Sequence, residues 1–296
     1  MALRGHLTCR PCYPADVHWI GVVLACTLWL TATTSFAEAA NAHYQLAKTL
    51  RAEGRYEEAL AEVDLAVAER PTYAQGHLTR GSILRRLGRY QEALQAFERA
   101  VQLEPEDGGA QGLTGAALIR LERPKEAVPY LKRASELEPK NSNHWLNLGV
   151  AYRESGDNDA AIATYEKGLE AIPNDPQILN NLGVALRKAR RYDEAIKALE
   201  KASASAPHDA EVARNLAIAY RGAKHYGQAV PIYIRALELG RGGPPDLLFD
   251  LASCYEKLGN DEMAIATFER YIAATNESDP AGANLARRAV ENLKSK

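Results

Sequence analysis

Aromatic bulk and sulfur are scarce in this chain: 296 residues hold 4 Phe, 3 Trp and 2 Met. Runs of β-branched residues bounded by turn formers are absent beyond residue 37, which excludes strands as a main element. A large charge of one sign is lacking too, since formal net charge is −2. The acidic total beyond the leader argues against a nucleic-acid partner. Three of the four cysteines, Cys9, Cys12 and Cys26, lie in the first 37 residues. Cys254 alone remains beyond them and can close no intramolecular disulfide, so packing must supply the stability. The remaining histidines, His43, His77, His144, His208 and His225, have no second ligand three or four residues on. No Ser/His/Asp or Cys/His set accompanies them, so the sequence gives no reason to expect a metal, a cofactor or an enzyme. Gly108, Gly109, Gly112 and Gly115 lack the strand and Lys-Ser/Thr of a phosphate loop. They weaken a helix by about 1 kcal/mol each relative to Ala.

What is present falls into two parts. Residues 1–37 carry Arg4 and Arg10, then the uncharged run Trp19–Leu30, then Ser35-Phe36-Ala37. That order is the signature of a secretory signal peptide, with cleavage expected before Glu38 and an exported, periplasmic or secreted, chain as the result. The competing expectations are an uncleaved anchor, although the run is shorter than the roughly 20 residues a spanning helix needs, and lipid attachment at Cys26. Contact with a membrane is expected only through this segment.

From Ala40 the chain restates itself every 34 residues, with units starting at 40, 74, 108, 142, 176 and 210 and, after one inserted residue, at 245. Position 20 of the unit is alanine in all seven copies, Ala59 to Ala264, and position 8 is always Gly or Ala. Position 27 is small in six copies and fails at Tyr271, and position 32 is proline in five, Pro71 to Pro207. Positions 4, 7, 8 and 11 share one face of a first helix, and 20, 24 and 27 one face of a second. Small residues at 8, 20 and 27 let the two axes approach, and proline at 32 stops the second helix. Asp279-Pro280 reads as a further helix start, with Leu285, Ala286, Ala289 and Leu293 expected on its covered side.

This pattern resembles the tetratricopeptide repeat family over residues 40–278. The resemblance implies an all-α fold, a right-handed α-α superhelix of seven helix pairs, closed by a C-terminal capping helix over 279–296. It implies that first helices line a concave groove, and it implies no enzymatic activity.

Positions 2, 5, 6, 9, 12 and 13 lie opposite the expected buried stripe. Position 6 gives Asn147, Asn181 and Asn215 in successive units. A row of carboxamides both donates and accepts, so it can clamp an extended main chain. The row is similar to the asparagine ladder of O-linked N-acetylglucosamine transferases, which also leaves open a targeting subunit for a separately encoded enzyme such as a glycosyltransferase. Position 12 gives Arg51, Arg85, Arg153, Arg187 and Arg221, interrupted by Ile119 and closed by Glu256. Positions 1–14 of the first six units hold 11 Lys/Arg against 3 Asp/Glu, whereas residues 38–296 as a whole hold 34 against 37. Charge is therefore sorted onto the first helices, and the expected ligand of the groove is an extended, acidic protein or peptide segment. The chaperone carboxylate clamp of the family is absent, because Leu146 and Val150 stand where its Lys and Asn are needed. Repeat arrays of this exported kind imply a role in assembling an envelope or secretion complex, or a membrane-anchored assembly factor if the leader persists.

Overall fold

The computed structural model describes residues 38–275 and 278–295. The leader, with its cleavage, anchor and lipidation readings, lies outside the described residues, as do Asn276 and Glu277 of Asn276-Glu277-Ser278, a triplet that matches a glycosylation sequon. Among the described residues all regular structure is helical, and no helix is long and apolar enough to cross a membrane.

Helices alternate as first and second members of hairpins: α1 (38–52) and α2 (Tyr56–Glu69), α3 (Ala74–Arg86) and α4 (Tyr90–Leu103), α5 (Gly108–Arg120) and α6 (Pro124–Leu137). The series continues with α7 (Ser142–Glu154) and α8 (Asn158–Ala171), α9 (Pro176–Lys188) and α10 (Tyr192–Ser205), α11 (Ala210–Gly222) and α12 (Tyr226–Leu239). It ends with α13 (Asp246–Lys257), α14 (Asp261–Thr275) and α15 (Pro280–Lys294). The chain forms two compact units, the first ending at Leu103 and the second beginning at Glu104.

One turn recurs inside every hairpin. The amide at position 16 donates to the carbonyl at position 11, from Arg55 to Leu50 at 2.9 Å through to Asn260 to Tyr255 at 3.0 Å. That bond needs a left-handed residue at position 15. Four hairpins use glycine there, but Glu122, Arg190 and Lys224 adopt φ of 59°, 60° and 64°. Between hairpins, α2, α4, α6, α8 and α10 are each followed by the position-32 proline, and after the last four of these by a side-chain cap. Asp107, Asn141, Asp175 and Asp209 accept backbone N–H bonds at the starts of α5, α7, α9 and α11. The proline carbonyls are met by side chains six residues on: Gln111 Nε2 donates to Pro105 at 2.9 Å and Trp145 Nε1 to Pro139 at 2.8 Å. His77 Nε2 lies 3.0 Å from the Pro71 carbonyl and occupies the same place.

Packing within each hairpin follows the small positions. All seven position-20 alanines are 0% exposed. One turn further on the same face, position 24 carries Val63, Phe97, Leu131, Tyr165, Leu199, Tyr233 and Phe268, all buried. A Cβ on Gly115 would run into the Leu131 side chain, and one on Gly112 into His144. The glycines that weaken α5 by propensity therefore admit the two bulky neighbours that hold it.

Three sequence expectations change. The buried stripe of the first helices is wider than positions 4, 7, 8 and 11. It includes position 3, such as Ile178 and Val212, and position 10, such as Ala185 and Cys254, because first helices such as α9 and α11 pack against the second helices on either side of them and against the first helices of both adjoining repeats. Leu46 and Arg80, at position 7, lie outside the buried core, Leu46 at 46% exposure and Arg80 reaching Asp64 at 2.6 Å. On α15 the covered side is Ala283, Ala286, Val290 and Leu293, and Leu285 faces solvent at 58% exposure. A spacing of three and four residues carries that stripe past position 285.

Candidate peptide-binding groove

In the second unit the first helices touch one another in series, α5 with α7, α7 with α9, α9 with α11, and α11 with α13. The second helices touch first helices far more than each other. The layer with the closer spacing lies on the inside of a bend, so the first helices line the inner side of this unit.

The three asparagines do not form an equal row. Asn147 is half-buried on α7. Asn181, also half-buried, donates Nδ2 to the Gln177 carbonyl of its own helix at 2.9 Å. Asn215 is 5% exposed, and its Nδ2 donates to Asn180 Oδ1 at 2.9 Å. The expectation of an open position 6 therefore needs correcting at Asn215, whose amide ties α11 to α9. The reason is local: Asn180, one residue before the row, turns its carboxamide toward the next helix.

The arginines divide more sharply. In the first unit Arg51 is half-buried and Arg85 exposed. In the second, burial pushes the Tyr165 hydroxyl up to about 12, and the Arg153 charge opposes that shift. The Tyr165 hydroxyl is buried without a hydrogen-bond partner, as is Nε of Arg187 and of Arg221. Arg221 Nη1 lies 3.1 Å from Asp250 Oδ1, and the Tyr233 hydroxyl donates to Asp250 Oδ2 at 3.1 Å. Burial pushes the Asp250 carboxyl up, while Arg221, the Tyr233 hydrogen bond and the more distant Arg187 draw it down. A carboxylate thus sits among arginines of two successive repeats, supplied by the chain itself. The sequence showed Asp250 at position 6 and Tyr233 at position 24 without joining them; a hydroxyl where Phe97 or Phe268 suffices was the available signal. Cys254 beneath this cluster is buried, its thiol pushed up to about 11 by burial, so it stays a protonated core residue.

His43 and His77, at position 4 of their repeats, make polar contacts: His43 Nδ1 lies 2.6 Å from Glu62 Oε2, and His77 meets Pro71 as above. His144 is buried with Nε2 3.0 Å from Glu138 Oε2. Among the described residues no group of three His, Cys, Asp or Glu is placed to hold a metal.

Three family models match the chain. One is described as the tetratricopeptide repeat domain of cytochrome c-type biogenesis protein H and covers residues 57–179. Two more, both described as tetratricopeptide repeat, cover residues 174–242 and residues 25–74 with 215–280. The chain belongs to the tetratricopeptide repeat family. Its fold is the all-α superhelical repeat of that family, and its repeats make it a protein–protein interaction scaffold.

Solved tetratricopeptide repeat proteins agree. YrrB, described as having an unusual peptide-binding site, is 27% identical with a TM-score of 0.53, over 62% of this chain and 94% of its own. PilF of Pseudomonas aeruginosa is 20% identical with a TM-score of 0.58, over 71% and 95%. The C-terminal part of a repeat protein from Cytophaga hutchinsonii is 19% identical with a TM-score of 0.66, over 81% and 98%. The last two speak for the fold alone. No curated protein matches the chain.

Proposed function

We propose that this tetratricopeptide repeat protein holds an extended, acidic segment of a partner protein along its first helices, and that it does so as an exported assembly factor. The observation that carries the reading is Asp250, a carboxylate seated among Arg221, Tyr233 and Arg187 on the inner side. It supports the reading that position 12 offers the same contacts to a visiting carboxylate. The peptide-binding description of YrrB supports a segment as ligand. The leader supports export, and the match to a domain named for cytochrome c-type biogenesis supports an assembly role.

Asn147 and Asn181 supply main-chain contacts in this reading, and Arg153 the carboxylate contact between them. Asn215 holds the scaffold. The test is affinity capture from an extract of the native source, with partners quantified by mass spectrometry. The Asn147→Ala/Asn181→Ala variant and Arg153→Glu should keep the helical circular dichroism of the parent and lose most of the captured partner. Undiminished capture by both would sink the reading. Sequencing of the secreted chain should begin at Glu38.

A further inference from the structure

One pocket occurs twice at the same repeat register. In the first unit Arg51, Tyr56, Ser82, Arg85 and Arg86 line a cavity of about 310 Å³. In the second unit Arg221, Gly222, Tyr226, Ser253 and Lys257 line one of about 300 Å³. Each takes positions 12 and 17 from one repeat and positions 9 and 13 from the next.

The two copies differ in how their charge is balanced. In the second, Arg221 is held by Asp250, and Glu256 occupies the register at which the first has Arg85. In the first, the side chains of Arg51, Arg85 and Arg86 form no ion pair or hydrogen bond among the described residues. Three carboxylates on the turns and helix starts beside these residues in sequence, Glu53, Glu58 and Glu92, are already held by other arginines. Arg55 holds Glu58 at 2.6 and 2.7 Å and Glu53 at 3.0 Å, and Arg89 holds Glu92 through two bonds of 2.6 Å. Three guanidinium groups thus share one concavity with two hydroxyls and no counter-charge of their own. A recess walled by charge of one sign concentrates ions of the other.

We propose that this pocket binds two adjacent carboxylates, the side chains of consecutive Asp or Glu residues in the partner segment. This rests on the groove reading and fixes where the acidic part of the ligand lands. One carboxylate engages one guanidinium fork with both oxygens, which leaves two of the three arginines unserved. A second carboxylate balances the charge more closely. The volume allows it, since a water's share is about 30 Å³ and the cavity therefore has room for both groups with some solvent. Ser82 and Tyr56 add hydroxyl donors at the wall.

The experiment uses the full chain and three fluorescein-labelled probes, Gly-Gly-Glu-Glu-Gly-Gly, its Gln-Gln counterpart and a version with one phosphoserine in place of the pair. Anisotropy at low ionic strength should give the Glu-Glu probe at least a roughly tenfold advantage over Gln-Gln, weakening as salt is added. Arg51→Gln/Arg85→Gln/Arg86→Gln should abolish that advantage, the single Arg86→Gln should reduce it, and Arg270→Gln on α14 should leave it intact. Retention of the advantage by the triple variant, with circular dichroism unchanged, overturns the proposal. Tighter binding of the phosphoserine probe than of Glu-Glu overturns the carboxylate assignment. Neither result touches the groove reading, which fails separately if the Asn147/Asn181 and Arg153 variants capture the same partners.

Discussion

Gly183 packs its bare Cα against Leu199, a leucine that is 0% exposed. A methyl there would meet both Leu199 Cδ atoms at 2.9 Å. Gly183→Ala gains about 1 kcal/mol of helix propensity and loses about 1–3 kcal/mol to overpacking. We expect a net destabilisation of about 1 kcal/mol, read as a lower urea midpoint at unchanged slope. This position was legible in the sequence, because Gly or Ala recurs at 34-residue intervals. Asn215 was not. Asparagine in a repeated slot looks the same whether it faces a ligand or a neighbouring helix, and what decides is Asn180 in the repeat before it. Arg221 and Asp250 were likewise visible as residues but not as a pair, since their separation of 29 positions spans an insertion.

At the level of elements, the pattern of alanine and proline foretold where helices start and stop, but not what satisfies their ends. Gln111 and Trp145 stand at position 4 of the expected buried stripe, yet each donates to a proline carbonyl. The last helix offers a sharper test of such ends. Asp279 caps α15 by accepting from Gly282 N at 3.0 Å, and its other oxygen accepts from the Tyr271 hydroxyl at 3.0 Å. These bonds to the charged form hold its carboxyl below the usual value. A carboxyl lowered by folding contributes stability that is present above its unfolded pKa and is lost as pH falls through the folded one. The protection factors of the α15 amides, measured against the intrinsic exchange rate at each pH, should therefore fall on acidification below the ordinary aspartate value of about 4, before those of α9 or α11 respond. Asp279→Asn keeps one acceptor oxygen for the Gly282 amide, gives up the second one that serves the Tyr271 hydroxyl, and should remove that acid sensitivity because a carboxamide does not titrate. Equal acid sensitivity in the variant would assign the effect to another group.

Across the whole molecule, repeats that touch only their neighbours make stability a sum of local terms. No disulfide cross-links distant parts among the described residues, and Cys254 is free. Within the second unit a continuous core runs from Ala161 to Leu293, and α15 closes it by laying Val290 and Leu293 beside Phe268 and Tyr271. Ending the chain at Ser278 removes that cover. Burying a side chain of this size is worth about 1.5–3 kcal/mol, so the two large residues alone put the loss on the order of 3–6 kcal/mol as an upper bound. The nearest-neighbour picture says where the loss is felt. Hydrogen exchange should accelerate most in α14, less in α13 and little in α7 and α8, while light scattering reports self-association through the uncovered end. A uniform loss of protection from α7 to α14 would mean instead that the second unit unfolds as one block. In that case a ligand held at one first helix would stabilise every other, and binding at the arginine row would protect amides throughout the unit instead of beside the contact.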